Sequence, residues 1–437
     1  LDHQPVIIDF RGYPAAITPL KGLLDMRIKL ALVLFCLLHT SAFAEPLAPG
    51  DAESLGFLKS RLSKLNSRMQ AHTDSGRIIG LSTAVIRDGR IVHRSAHGYR
   101  DRESKSPITR HSIFRIYSMT KAITAVAAMM LYEQGHFQLF DPIETYIPEF
   151  EKTRVFADGT AENPRGIDKR NSITIRDLFL HTACFTYPFS KHPVDQIYRK
   201  AKLFNGHRTS AQFVSDLAKL PLKCQPGSQY SYGVSTDVLG RIIELISGMS
   251  LDAYMDTHIF KPLGMRDTGF YVPKEDHGRL MTLYIRDDNG ALRPAEPTFT
   301  NSFLVKPKMA MGGGGLVSTV DDYLKFLQML LNGGQLDGVR LLSPKTVDFM
   351  FTDHLPKTLS VSPGYGMGLG FAILRRIAGH RRIGAVGEAG WSGIANTFFW
   401  IDRSSNTAFM GWTQMFPWGV PKFRFEIPPM VYGAMAR

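Results

Sequence analysis

A serine and a lysine three residues apart form the part of this sequence best suited to covalent chemistry. Ser118-Met119-Thr120-Lys121 is the only S-x-x-K among the 437 residues. On a helix, residues i and i+3 lie on one face, so the Lys121 amine is expected within reach of the Ser118 hydroxyl. A serine hydroxyl needs a nearby base, and a lysine serves as one where burial or a neighbouring cation lowers its pKa. The spacing predicts a nucleophile with its own base.

The sequence that follows this pair is small and apolar. Residues 122–127 read Ala-Ile-Thr-Ala-Val-Ala, which predicts a buried helix over 118–133. A lone lysine on a buried helix is costly and needs a reason, and catalysis is one. Without this context the motif would carry little weight, because a helical serine and lysine at this spacing often occur by chance.

Several further blocks, in the same order, resemble the β-lactamase-related serine hydrolases, a family that includes class C β-lactamases, DD-peptidases and family VIII carboxylesterases. The blocks are the S-x-x-K region at 114–150, ITIRDLFLHT at 173–182, GGGGLVSTVDD at 312–322 and LLNGG at 330–334. The resemblance spans roughly residues 50–415. It implies an α+β fold of the β-lactamase/DD-peptidase type, an antiparallel sheet flanked by helices with a large helical insertion. It also implies catalysis through an acyl-enzyme.

The second motif of this family is a tyrosine shortly after a Pro-Gly pair. Pro226-Gly227 is followed by both Tyr230 and Tyr232, and counting from both flanks favours Tyr232 as the motif tyrosine. The resemblance implies that the Tyr232 phenol, next to Lys121, ionises or relays the proton. Tyr230 is interpreted as a core tyrosine.

The third motif is expected at Trp391-Ser392-Gly393, in a register fixed by the strand predicted downstream. This block resembles the Trp-x-Gly variant of esterases and acyltransferases, which implies that Trp391, Ser392 and Gly393 contact the substrate. Family geometry implies an oxyanion hole formed by the backbone N–H groups of Ser118 and Ile394. The chain has no G-x-S-x-G, which excludes an α/β-hydrolase nucleophile elbow.

Two departures from the β-lactamase pattern bear on the substrate. Val234 stands where β-lactamases have an amide side chain, and Trp391 stands where they have a lysine for the substrate carboxylate. An apolar, aromatic rim favours a neutral acyl ester over a β-lactam-like substrate. His181 and Glu388 are interpreted as structural. Four arginines are interpreted as belonging to a solvated turn rather than to an anion contact: Arg375, Arg376, Arg381 and Arg382.

The composition is that of an ordinary globular protein, with 44% hydrophobic and 21% charged residues. This excludes wholesale disorder and coiled coils. Zinc-protease, P-loop and dinucleotide motifs are missing from the sequence, so no metal or cofactor is predicted. The net charge of +13 suits contact with an anionic cell wall or membrane surface. The basic residues are scattered rather than clustered with aromatic ones, which argues against nucleic-acid binding.

Residues 26–44 have the layout of a signal peptide. A cationic start, a nine-residue apolar run and small residues before position 45 predict cleavage after Ala44 and a periplasmic or secreted protein. The apolar run is too short to span a bilayer. Residues 1–25 are interpreted as an upstream non-native segment. In an oxidising compartment Cys184 and Cys224 could pair, which sequence alone does not decide.

Periodicity predicts strands near both ends of the mature chain and helices between them. A β-hairpin with an Asp-Gly turn is predicted at 81–97 and would join the C-terminal strands in one sheet. The other predicted elements are helices at 52–73, 173–181, 211–220, 237–246, 251–260 and 321–331, and strands at 368–374, 382–386, 396–401 and 407–413. The domain at 45–437 would then comprise sheet regions at about 50–110 and 300–437 and a helical region at about 111–300.

Together these patterns predict an exported serine hydrolase. Ser118 would form an acyl-enzyme with a small ester, while Lys121 and Tyr232 take and return the proton. A β-lactamase, or a peptidase acting on D-amino-acid substrates, is the alternative within the same fold. A catalytically silent cell-wall-binding module is the alternative from another class, and the intact set of three residues argues against it.

Overall fold

Seventeen strands and ten α-helices make up the described part of the chain. The computed structural model describes residues 47–204, 206–287, 289–295, 303–377, 382–419 and 422–436. The helices are α1 (Lys59–Asp74), α2 (Thr120–Glu133), α3 (Ile175–Leu180), α4 (Pro193–Ala201), α5 (Ser210–Ala218), α6 (Ser235–Ser247), α7 (Leu251–Met255), α8 (Val320–Leu331), α9 (Pro344–Met350) and α10 (Phe423–Ala434). The strands are β1 (Gly80–Arg87), β2 (Arg90–Asp101), β3 (Ser106–Pro107), β4 (Phe114–Arg115), β5 (Val155–Gly159), β6 (Pro164–Ile167), β7 (Tyr284–Arg286), β8 (Leu292–Pro294), β9 (Val317–Ser318), β10 (Gln335–Leu336), β11 (Val339–Arg340), β12 (Tyr365–Met367), β13 (Ala372–Leu374), β14 (Ala389–Gly393), β15 (Thr397–Asp402), β16 (Thr407–Thr413) and β17 (Met415–Phe416).

An eight-stranded antiparallel sheet joins the two ends of the domain. Its order is β12-β13-β14-β15-β16-β1-β2-β3, so the N-terminal hairpin lies beside the C-terminal strands. The Asp88-Gly89 turn closes β1 onto β2 with φ values of 50° and 75°, the left-handed conformation that a tight hairpin requires. β1 pairs with β16 along its length, from Leu81 opposite Thr413 to Arg87 opposite Thr407. The predicted hairpin, its union with the C-terminal strands and the α+β class are confirmed.

The two faces of this sheet are covered by different hydrophobic cores. Along β15, Phe398 and Trp400 face the core built with α1 and α10, whereas Phe399 and Ile401 face the larger core beside the helical region. The alternation follows the two-residue period of a strand. Because both faces are covered, all six residues of β15 are buried.

Helix α2 runs through the middle of the larger core. Every residue from Thr120 to Leu131 is buried. Four of these are alanines, whose small side chains allow neighbouring elements such as α6 to pack closely. The predicted buried helix is confirmed, and it provides a rigid base for Lys121.

A disulfide bond joins Cys184 to Cys224, whose Cα atoms are 5.3 Å apart. The Lys223 N–H also donates to the Cys184 carbonyl at 2.8 Å. The bridge therefore connects the segment after α3 to the segment before α6. The sequence left this pairing open.

The first helix starts later than predicted. It was expected from residue 52 but begins at Lys59. Gly56 has a φ of 79°, a left-handed conformation that no helix residue adopts, and Phe57 forms an isolated bridge with Met435. Local contacts with the C-terminal segment thus replace the first helical turns.

Two predicted C-terminal strands also differ from the structure. Only β13 forms within the strand predicted at 368–374. The chain turns between β12 and β13 at Gly370, which has a φ of 98°. No strand forms at 382–386, where the buried Arg382 side chain turns inward to pair with Glu388. An inward ion pair here takes the place of the strand that the alternating sequence suggested.

The predicted upstream segment and signal peptide, residues 1–44, lie outside the described residues. In the part of the chain that is described, no helix has the length and apolar character needed to cross a bilayer.

Candidate active site

Ser118 lies in a short 3-10 turn, Tyr117–Met119, that leads directly into α2. Tyr117 has a φ of 42°, which is unusual for a residue with a large side chain. Just upstream, β4 pairs with β9 through Phe114 opposite Ser318. The turn is therefore held between a helix and a strand pair, and it leaves Ser118 half-buried.

Lys121 is 2% exposed and donates three hydrogen bonds. Its Nζ lies 3.4 Å from Ser118 Oγ, 3.2 Å from the Tyr187 hydroxyl and 2.5 Å from the Gly313 carbonyl oxygen. All three acceptors are uncharged. The ammonium also faces two aromatic rings, at 4.8 Å from the Tyr232 centroid and 5.3 Å from that of Tyr187. Such faces attract a cation, so the lysine is stabilised without a direct ion pair.

Tyr232 is the tyrosine that reaches the serine. Its hydroxyl donates to Ser118 Oγ at 2.8 Å. Ser118 Oγ thus lies between Lys121 and Tyr232, and the structure brings these three residues of the two sequence motifs together. Tyr230 instead packs edge-to-face against His181, with 6.0 Å between the ring centroids. This is expected of a tyrosine that belongs to the core.

An aromatic wall stands beside these groups. His181 lies 5.0 Å from the Tyr232 ring and stacks on Trp391 at 6.2 Å. Burial, and to a lesser degree the charge of Lys121, holds the pKa of His181 well below its usual range. A cavity of about 10 Å³ is lined by His181, Lys121 and Trp391 among others. His181 was interpreted as structural, but the structure places it at the site as a neutral wall residue.

Strand β14 brings the third motif to the serine. Trp391 and Ser392 are partly exposed, whereas Gly393 is buried. A Cβ on Gly393 would lie 2.4 Å from the carbonyl oxygen of Ile116, so only glycine fits this close passage. The end of β14, and with it the backbone of Ile394, therefore lies against the segment that precedes Ser118.

Val234 does not line the site as the sequence suggested. It is fully buried at the start of α6, with its side chain in the larger core. The preceding residue explains this orientation. A Cβ on Gly233 would lie 2.6 Å from the backbone of Phe185, so the segment is pressed against the chain near the disulfide and turns Val234 inward.

The sequence reading missed two residues, Tyr187 and Asp237. Tyr187 is 66 positions from Lys121, and no motif marks it, although it follows Cys184 closely. Burial raises the pKa of Tyr187 well above its usual value, so it is a neutral hydrogen-bond partner. Asp237 is 1% exposed in the first turn of α6, and its only signal in the sequence was a carboxylate directly before the apolar pair Val238-Leu239. No cluster suited to a metal ion occurs among the described residues.

The expectation of a solvated turn is wrong for two of the four arginines. Arg382 is buried and pairs with Glu388, which also accepts a hydrogen bond from the Tyr432 hydroxyl at 2.7 Å. Arg375 is half-buried and donates to Asp353 at 3.0 Å. The carboxylates of Asp353 and Glu388 therefore hold these two side chains away from solvent.

Arg376 and Arg381 do not contradict the expectation of a solvated turn. Arg376 is exposed, and Arg381 lies outside the described residues. Glu388 has the structural role expected of it, as the partner of Arg382 at the start of β14.

Comparison with known proteins shows the family to which this chain belongs. The family model "Beta-lactamase" matches residues 65–424. Protein Rv1367c of Mycobacterium tuberculosis is 35% identical over 345 residues, covering 76% of this chain and 85% of that protein. The lovastatin esterase of Penicillium rubens is 30% identical over 377 residues, covering 79% of this chain and 91% of that enzyme.

A solved structure agrees with these matches. EstCE1, a hydrolase with promiscuous acyltransferase activity, superposes with a TM-score of 0.74 at 27% identity, covering 88% of this chain and 99% of that one. The chain therefore belongs to the beta-lactamase family, with the β-lactamase and penicillin-binding-protein fold. Within that family its relatives include esterases and acyltransferases.

Proposed function

We propose that this protein is an exported serine hydrolase that cleaves carboxylic esters through an acyl-enzyme on Ser118. The observation that carries the proposal is the contact of one serine oxygen with two proton-transfer groups. Ser118 Oγ lies 2.8 Å from the Tyr232 hydroxyl and 3.4 Å from Lys121 Nζ. A serine next to a buried lysine and a phenol has what it needs to lose and regain a proton.

In the proposed reaction Ser118 Oγ attacks the ester carbonyl carbon, and its proton passes to the Tyr232 and Lys121 pair. The charge on the carbonyl oxygen is stabilised by the backbone N–H groups of Ser118 and Ile394, each contributing on the order of 3 kcal/mol. The pair then returns the proton to the leaving alcohol. Water, activated by the same pair, hydrolyses the acyl-enzyme and releases the acid. An alcohol in place of water would give acyl transfer.

Ester substrates are favoured over β-lactams by the character of the third motif. Trp391 is partly exposed beside the Tyr232 ring, 5.8 Å between centroids. An indole there offers no charge to a substrate carboxylate, and losing a charge-assisted hydrogen bond costs about 1.5–3 kcal/mol. The names of the lovastatin esterase and of EstCE1 point the same way.

The direct test is the variant Ser118→Ala, assayed with p-nitrophenyl butyrate and with a fluorophosphonate probe. We expect hydrolysis and labelling to disappear while the circular dichroism spectrum stays that of the wild type. Ser67→Ala, on the exposed face of α1, is the matched control and should behave as the wild type. Residual hydrolysis above about a tenth of the wild-type rate would show that Ser118 is not the nucleophile. A wild type that neither hydrolyses the ester nor reacts with the probe would favour the silent binding module.

Substrate class is tested by comparing kcat/KM for p-nitrophenyl butyrate, nitrocefin and a D-Ala-D-Ala peptide. We expect the ester to be preferred over nitrocefin by at least about tenfold, from the lost charged contact at Trp391. Comparable values for nitrocefin or the peptide would restore the β-lactamase or peptidase reading.

Export is supported by the signal-peptide layout of residues 26–44 and by the Cys184–Cys224 disulfide, since disulfides persist in oxidising compartments. Expressed with its own leader, the protein should be recovered with Glu45 as its first residue. Intact-mass measurement of a form that retains residues 26–44 would argue against export.

A further inference from the structure

Asp237 is a buried carboxylate that the proposed reaction leaves without a role. Its Oδ1 accepts a hydrogen bond from the Gly313 N–H at 2.9 Å, while its Oδ2 is buried and has no hydrogen-bond partner. Burial raises the pKa of Asp237, although the charge of Lys121 and the bond from Gly313 act in the opposite direction. A half-satisfied buried carboxylate is costly for the fold, so its position asks for an explanation.

The carbonyl group of Gly313 supplies the explanation. Its carbonyl oxygen accepts the shortest of the Lys121 hydrogen bonds, at 2.5 Å. Gly313 is thus held by its N–H on one side and holds the lysine by its carbonyl on the other. A Cβ on Gly313 would lie 2.4 Å from Asp237 Oδ2, so the carboxylate fits closely against this one residue.

We propose that Asp237 is a positioning residue, which acts through Gly313 to hold Lys121 beside Ser118 and places an opposite charge near the lysine. The proposal rests on the proposed function, because it concerns the group that moves the proton there. Asp237 touches neither the serine nor a substrate and is not itself catalytic.

The charge of Asp237 should be visible in the pH dependence of the reaction. The titratable groups around Lys121 are Tyr187 from the segment after α3, Tyr232 from the segment before α6, His181 at the end of α3 and Asp237 in α6. Asp237 is the one carboxylate among these groups, and Tyr187 and His181 are held neutral. The charge of Lys121 lowers the pKa of Asp237, which means that the two charges attract each other, and removing the carboxylate removes this attraction.

The test is the pH profile of kcat/KM for p-nitrophenyl acetate in Asp237→Asn, a variant that keeps an oxygen to accept the Gly313 N–H. We expect the acidic limb to move to lower pH by on the order of one unit, the effect of one buried charge at short range. A merely structural role would lower activity without moving the limb. Asp237→Asn with an unmoved profile overturns the proposal.

The matched control is Asp322→Asn. Asp322 is also a buried carboxylate in the first turn of a helix, and it accepts a backbone N–H, from Asp267, at 2.7 Å, but its contacts are with Asp267 and Thr268. We expect its profile to match that of the wild type. A similar shift in this control would mean that the change reports on any buried carboxylate, and would overturn the proposal.

A second measurement does not depend on how well Asp237→Asn folds. Gly313→Ala should displace the Asp237 carboxylate and lower kcat/KM about tenfold or more, and Asp237→Ala should do likewise. If the two act through one contact, the double variant is no worse than the poorer single one, because the clash has gone. If the double variant instead loses kcat/KM by the product of the two single losses, the proposal is overturned. A wild type without ester hydrolysis counts against the proposed function instead, so the two failures are distinguishable.

Discussion

Lys121 and Arg382 are both buried cations, but their surroundings differ. Arg382 is paired with Glu388, and the two side chains are 3% and 0% exposed. Its guanidinium also lies over the Trp400 ring at 4.2 Å. Lys121 makes its hydrogen bonds to a hydroxyl, a phenol and a backbone carbonyl, all of them neutral.

This difference distinguishes a cation that stabilises the fold from one that can take part in proton transfer. In the Arg382 pair the opposite charge is in direct contact, so neither partner gains by exchanging a proton. At Lys121 the carboxylate of Asp237 is connected through the intervening Gly313 residue rather than by direct contact. The lysine can then pass its proton to a neighbour without breaking an ion pair. Variants at the two cations should therefore differ in whether they lose stability or activity.

The largest effect on stability is expected from Arg382→Met. It leaves Glu388 buried without its counter-charge, which typically costs about 3–5 kcal/mol. The free energy of unfolding in urea should fall by that amount, while kcat/KM of the folded protein at 25 °C stays near wild type. Arg403→Met removes an exposed ion pair with Asp348 and should cost about 1 kcal/mol or less. Equal losses from both variants would contradict the structural role given to the buried pair.

The largest effect on activity among the cation variants is expected from Lys121→Met. Loss of a general acid–base group should lower kcat/KM by about 10²-fold or more, whereas thermal stability should stay level or rise because an apolar side chain replaces a buried charge. Lys325→Met is the control, since Lys325 is also buried and donates to a glycine carbonyl, that of Gly264, at 2.7 Å. If both variants lost activity alike, burial rather than chemistry would account for Lys121.

Two neighbouring tyrosines sharpen the contrast at the same site. Tyr232→Phe removes the hydroxyl at 2.8 Å from Ser118 Oγ and should lower kcat/KM by about 10²-fold. Tyr230→Phe should change it by less than about threefold, because its ring packs against His181 without touching the serine. The kcat/KM values of the two variants decide which tyrosine belongs to the second motif. If Tyr230→Phe were the damaging change, Tyr230 would be the motif tyrosine.

The smallest effect concerns His181, whose folded-state pKa is lowered by burial and then by Lys121. Below about pH 6.5 the unfolded chain binds a proton that the folded histidine does not. Stability from this group is therefore complete above that pH and falls as the pH is lowered, by up to about 1.4 kcal/mol per unit. We expect His181→Phe to flatten the fall in Tm between about pH 7 and 5. His136→Phe, at an exposed histidine, should leave that slope as it is, and a flattening by both would count against the assignment.

Much of the framework followed from short-range patterns. The Asp88-Gly89 hairpin, helix α2 and strand β16 occur where they were predicted, because each depends on the backbone preferences or the periodicity of a few consecutive residues. Helix α1 was misplaced at its start because its first turns were replaced by a bridge between Phe57 and Met435. Such a contact joins opposite ends of the domain and leaves no local trace.

Ser118 and Lys121 could be paired from the sequence alone, since a spacing of three residues brings two side chains to the same face of a helical segment. Here that segment is the 3-10 turn that leads into α2. Motif order added Tyr232 and Trp391 and identified the family. Only the tertiary structure brought Tyr187 and Gly313 to the lysine, from 66 and 192 positions away. It also buried Val234 and paired Arg382 with Glu388. These outcomes depend on how distant segments pack and on which charges find partners when water is excluded, and no stretch of consecutive residues encodes either one.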